Sequence, residues 1–212
     1  MENTRFYIKV KNLYQGQKIV IPFLETSISK GIITNIVGKN GVGKSSFLSA
    51  LNGELSVEEF TASIGTEKID VKKNVEIVKL TSDFFGYEFL KSIEFVEYIL
   101  RLYRREIKSN MEVSQKMMED LSMKEFEYTL VKNLSQGTKQ KLAFIATVLT
   151  SCKIMLFDEA FEHIDRKSLQ EIFRILDMVR KESYILNVSH TGILDDLENV
   201  KLDLEGLISY EN

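Results

Sequence analysis

The chain of 212 residues and 24.4 kDa has room for one globular domain or two small lobes, with a core large enough to need no staples. With 28 Lys and Arg against 31 Asp and Glu and a net charge of −3, it lacks the basic excess of a dedicated nucleic-acid binder, so no nucleic-acid partner is expected. A single cysteine, Cys152, excludes an internal disulfide; no signal peptide is expected at the N-terminus, and the longest apolar run, LAFIATVL, falls far short of the ~20 residues of a membrane span.

From the N-terminus, RFYIKVKNL alternates as a strand does, and KIVIPFLETSI reads as a second extended segment. IITNIVG is a β-branched run of strand length that ends in glycines and leads into SSFLSALNG, a helix closed by Gly53. TASIGTEKIDV predicts a small hairpin turning near Gly65, and VEIVKL a buried strand. From Ser92 the pattern becomes helical, with Ile93, Val96, Ile99, Leu100 and Tyr103 on one face and Glu94, Glu97 and Arg101 on the other. VSQKMMEDL, with Val113, Met117 and Leu121 inward, and QGTKQKLAFIATVLTS are two further helix candidates. KIMLFDE is a short apolar strand ending in two acids, and a helix follows from about Arg166 to Glu182, with Asp165 as its N-cap. YILNVS then forms a strand that runs into His190. Apolar strands alternating with amphipathic helices predict an α/β fold with a mainly parallel sheet, preceded by antiparallel strands and interrupted by a helical insertion. The expected division is a core lobe of residues 1–82 and 152–212 and an α-helical subdomain of residues 83–151.

GKNGVGKS, Gly38 to Ser45, matches G-x-x-x-x-G-K-[ST] with a strand before it and a helix after it. Gly38, Gly41 and Gly43 allow the backbone N–H groups around Asn40, Val42 and Ser46 to face inward as an anion nest. Lys44 would reach β- and γ-phosphates and Ser45 would ligate Mg²⁺. The strand of KIMLFDE presents Asp158, a candidate for holding Mg²⁺ through water, and Glu159, a candidate general base. Together these describe a site that hydrolyses a nucleoside triphosphate with Mg²⁺.

In motif order and over nearly its whole length the chain resembles the ATP-binding cassette subunit of ABC transporters, a P-loop NTPase family whose nucleotide is ATP. LSQGTKQ, Leu134 to Gln140, resembles the family signature, FEHID resembles its D-loop, and NVSH resembles its switch strand with the histidine at position 190. The resemblance implies a head-to-tail dimer, a homodimer or a paired cassette, in which Ser135, Gln136 and Gly137 of one subunit approach the γ-phosphate held by the other. His190 would touch the γ-phosphate or orient the attacking water, and Asp165 would both cap a helix and face the partner subunit. Tyr14 is the expected adenine-stacking aromatic. Two positions depart from the pattern: Ser82, or Thr81, stands where a Mg²⁺-ligating glutamine is usual, and Gln136 stands where the signature has glycine.

The resemblance also implies a separately encoded transmembrane permease, contacted around Asp83 to Phe89 where Phe84, Phe85 and Tyr87 are apolar for a loop, and a place on the cytoplasmic face of the cell membrane. Export, of a peptide for example, is expected from the absence of extra regulatory domains. The competing readings are a soluble ABC ATPase outside transport, and a cassette that binds ATP with little hydrolysis.

Overall fold

The computed structural model describes residues 5–72, 75–83, 87–194, 197 and 199–208. Strands β1 (Phe6–Gln15) and β2 (Lys18–Ile28) form a hairpin turning at Gly16, and β4 (Val57–Ile64) and β5 (Glu67–Lys68) extend it in the order β2-β1-β4-β5, all antiparallel. The turn expected near Gly65 joins β4 to β5. The second sheet contains β3 (Ile33–Val37), β6 (Ile77–Thr81), β7 (Ile154–Asp158), β8 (Tyr184–Val188) and β9 (Asn199–Asp203), in the order β6-β7-β8-β3-β9. Every neighbouring pair in it is parallel.

A parallel sheet is covered on both faces, and this explains the unbroken apolar run of β7. Ile154 and Leu156 face the antiparallel sheet and helix α1 (Lys44–Leu51), packing with Phe6, Ile8, Phe47 and Leu51. Met155 and Phe157 face the helical layer of α2 (Ser92–Leu102), α3 (Lys108–Asp120), α4 (Gln136–Leu149) and α5 (Arg166–Val179). Phe157 meets Phe144 of α4 and Phe161, with ring centroids 6.4 and 5.2 Å away. Each such fully buried side chain contributes about 1.5–3 kcal/mol over leaving it in water.

Three sequence expectations shift. On α2 the buried face is centred on Phe95, Val96 and Leu100, with Ile93, Ile99 and Tyr103 packed at its edge. On α3 Val113 is half exposed, while Met118 and Ser114 join Met117 in the interior, because the helix turns its contact face toward α4. The α5 helix is capped by Asp165 as expected and ends at Val179, three residues short of the expected Glu182. The edge strand β9 and the single turn α6 (Leu204–Leu207) were not anticipated. Among the described residues no helix is long and apolar enough to cross a membrane. Cys152 is fully buried, and its thiol donates to the Val75 carbonyl at 3.3 Å.

The shared strand direction places the segments after β3, β6, β7 and β8 at one carboxyl edge. The candidate residues of the phosphate loop, with Ser82, Asp158, Glu159 and His190, lie there.

Candidate functional site

The loop from Gly38 to Gly43 leads from β3 into α1. Its three glycines have φ of +142°, +80° and +107°, a region that side-chain-bearing residues rarely adopt. The first turn of α1 contains no acid and no side-chain cap, so its N–H groups remain available to an anion. Lys44 curls over the loop, donating from Nζ to the carbonyls of Gly38 at 2.9 Å and Lys39 at 3.1 Å. It is 8% exposed, and among the described residues it has no carboxylate partner. A largely buried ammonium held only by neutral carbonyls favours an anionic ligand. A cavity of about 230 Å³ opens over this loop, lined by Asn40, Gly41, Gly43, Lys44, Ser45 and Ser46 together with Gln15 and His190.

The acids arrive from β7. The Ser45 hydroxyl donates to Asp158 Oδ1 at 2.9 Å, joining the start of α1 to the end of β7 across 113 residues of sequence. Burial pushes the Asp158 carboxyl above its ordinary value, and the Ser45 hydrogen bond pulls the other way. A hydroxyl beside a carboxylate is a hard oxygen pair of the kind Mg²⁺ takes, so these residues fit the ion. Glu159 has φ +54°, and its N–H donates to the Val188 carbonyl at 2.9 Å. Left-handed backbone at a non-glycine residue costs about 1 kcal/mol or more. It accompanies a Glu159 carboxylate directed at His190, with Oε1 2.8 Å from Nε2. The pairing of Asp158 with Val188 across β7 and β8 makes this meeting possible.

The signature segment stands apart from that cavity. Ser135 caps α4, its hydroxyl accepting from the Thr138 N–H at 3.2 Å, and Gly137 lies against the carbonyl of His163, where an added Cβ would come within 2.4 Å of the oxygen. Any larger residue there would force α4 away from the loop after β7. None of Ser135, Gln136, Gly137 and Asp165 lines the phosphate-loop cavity, so within one chain the two halves of the expected site do not meet. Val42 packs with the core behind the loop. Tyr14 also lies off the cavity wall, and the neighbouring Gln15 occupies it instead. Ser82 is tied in through its backbone: its N–H donates to the Asp158 carbonyl at 3.2 Å, and its carbonyl accepts from Gln136 Nε2 at 2.9 Å.

Asp165 accepts from the Ser168 N–H at 2.9 Å and receives Lys141 Nζ at 3.4 Å. The Ser168 backbone bond, then its hydroxyl and Lys141, hold the carboxyl down at about 2, against an ordinary 3.8. Because the folded-state value is depressed, the carboxylate favours the fold above pH ~4, and that contribution disappears as pH falls toward 2. Asp165→Ala is therefore expected to cost about 1 kcal/mol in urea unfolding at pH 7, the usual price of a lost N-cap, with the gap from wild type closing between pH 4 and 2.

Phe84 and Phe85, expected on a partner surface, lie outside the described residues. Tyr87 meets Tyr98 of α2 with ring centroids 4.3 Å apart and planes tilted by 52°, yet stays half exposed, and Phe89 is 78% exposed.

Residues 23–162 match the ABC transporter family model. A methionine import ATP-binding protein of Campylobacter jejuni is 26% identical over 91% of this chain and 65% of its own length. An energy-coupling factor transporter ATP-binding protein of Fusobacterium nucleatum is 29% identical over 96% of this chain and 81% of its own. In fold, an ATP-binding ABC transporter protein from Pyrococcus furiosus superposes with a TM-score of 0.80 at 19% identity, covering 97% of this chain and 100% of that one. A P-loop NTPase fold with this motif order is an ATP-binding cassette. The chain belongs to the ABC transporter family, whose ATP-binding subunits use ATP with Mg²⁺. It spans about two thirds of the methionine import protein, and that relative is named for import, so it lends no support to the expectation of export.

Proposed function

We propose that this chain is the ATP-hydrolysing motor of an ABC transporter, pairing head-to-tail with a second cassette and driving a separately encoded permease from the cytoplasmic face of the membrane. The observation that carries it is that the buried Lys44, Ser45 and His190 line one cavity while Asp158 bonds Ser45 and Glu159 pairs with His190. In this reading the core lobe of residues 1–82 and 152–212 holds the nucleotide, and the helical subdomain of residues 83–151 carries the signature.

The loop N–H groups, the α1 N-terminus and Lys44 bind the phosphates, and Tyr14, next to the cavity-lining Gln15, stacks on the adenine. Ser45 and Asp158 would hold Mg²⁺, with Ser82 beside them, and the ion would supply positive charge against that of the phosphates. Glu159 takes a proton from the attacking water, and His190 turns the carboxylate toward the γ-phosphate. Ser135, Gln136 and Gly137 of the second cassette close over that phosphate, with Asp165 facing the other subunit. The signature's distance from its own cavity favours this composite arrangement.

The exposed Tyr87 and Phe89 offer the permease an aromatic contact next to the loop after β6. The chain alone is expected to hydrolyse ATP in a Mg²⁺-dependent manner, and reconstitution with the membrane protein in liposomes should change the rate several-fold. A rate that responds to nucleic acid and ignores the membrane partner would instead favour an ABC ATPase outside transport. Between the expected export of a peptide and import, the relatives named for import favour import. Uptake and efflux measured in the same liposomes decide between them.

A further inference from the structure

The position where a Mg²⁺-ligating glutamine is usual in this family is occupied by Ser82, yet Ser82 is among the most connected points of the carboxyl edge. Its N–H donates to the Asp158 carbonyl at 3.2 Å. Its carbonyl receives two side-chain amides from the first turn of α4, Gln136 Nε2 at 2.9 Å and Gln140 Nε2 at 3.4 Å. Gln140 is 1% exposed, and its Oε1 accepts the His163 N–H at 3.1 Å, so a single buried amide spans the segments after β6 and β7. Gly137, between the two glutamines, sits so close to the His163 carbonyl that α4 and this segment have to shift together.

We propose that Gln136 and Gln140 are positioning residues that latch the signature helix of this chain to its own Asp158 through the Ser82 peptide. The inference rests on the ATPase reading above and adds a connection within one subunit. A displacement of α4 when a second cassette closes over ATP pulls on the Ser82 carbonyl, and the Ser82 N–H carries that pull to the main chain of Asp158. Gln136, the departure from the usual signature glycine, thus supplies from α4 a link that Ser82 is too short to make with its own side chain.

The donor character of Gln136 and Gln140 is what the latch requires, so the test varies that property at near-constant size. Gln136→Glu removes the N–H groups, Gln136→Gly removes the side chain, and Gln136→Lys keeps a donor of sufficient reach. Gln140→Glu still accepts the His163 N–H while losing its donation to Ser82. Steady-state ATPase rates would be measured against ATP and against Mg²⁺, with hydrogen exchange over the peptide containing Ser82 and thermal melts as a folding control.

The expected result is a kcat about tenfold lower for Gln136→Glu, Gln136→Gly and Gln140→Glu, with KM for ATP changed less than threefold. Half-saturating Mg²⁺ should rise several-fold, and the Ser82 amide should exchange about tenfold faster. Gln136→Lys should recover most of the rate, and the Gln136→Glu/Gln140→Glu double variant should be little worse than the worse single one, because both donors serve one acceptor. Unchanged exchange at Ser82, or equal loss in Gln136→Lys and Gln136→Glu, would overturn the latch while leaving the ATPase reading intact. A wild-type chain that does not hydrolyse ATP would overturn both.

Discussion

Replacing Lys44 by alanine is expected to weaken ATP binding by roughly two orders of magnitude while leaving the protein folded. The Lys44 ammonium is almost fully buried and rests on the carbonyls of Gly38 and Lys39 alone among the contacts described, so its removal strands no carboxylate. What is lost is a pair of charge-assisted contacts to phosphate oxygens, together about 3 kcal/mol, which corresponds to about a hundredfold in affinity. Titration with a fluorescent ATP analogue reads the loss, and an unchanged melting temperature separates it from unfolding. Wild-type affinity in this variant would remove the phosphate-binding role from the loop.

Glu159→Gln is expected to act on the other half of the chemistry. The amide fills the same space and can still meet His190, but it cannot accept a proton from water. Turnover should fall by about 10²–10⁴-fold with ATP affinity retained. If the variant turned over at the wild-type rate, Glu159 would not be the base, and its pairing with His190 at 2.8 Å would be only structural.

Much of this site is legible in the sequence because its parts are local. The phosphate loop is one continuous segment whose glycine spacing and flanking elements follow from backbone conformation, and the acids of β7 announce themselves at the end of an apolar run. What the residues cannot give by themselves is the strand order. Only the pairing of β7 with β8 brings Glu159 to His190, and only the order β8-β3 sets His190 over the loop after β3. The latch on Ser82 is equally hidden, since Gln136 reaches across 54 residues of sequence with no motif to mark the contact.

The fold shows the same limit at its margins. Strand β9 was missed because it lies at the sheet edge, where Val200 is half exposed and the apolar pattern is diluted by Lys201 and Asp203. Val113 follows the i, i+4 spacing of Met117 and Leu121, whereas the packing of α3 on α4 turns Met118 and the small Ser114 to that side. At the phosphate-loop cavity the strand places Gln15 on the wall, a residue whose chemistry carries no signal in the sequence.

The central claim is that one chain holds half of a composite ATPase. The mass of the Glu159→Gln protein in solution, measured by light scattering with and without ATP, tests it most directly. A monomer without nucleotide and a doubling of mass with ATP, abolished by adding Lys44→Ala, are the expected results. A chain that remains monomeric with ATP at saturating concentration, while its wild-type form hydrolyses ATP at full rate, would contradict it.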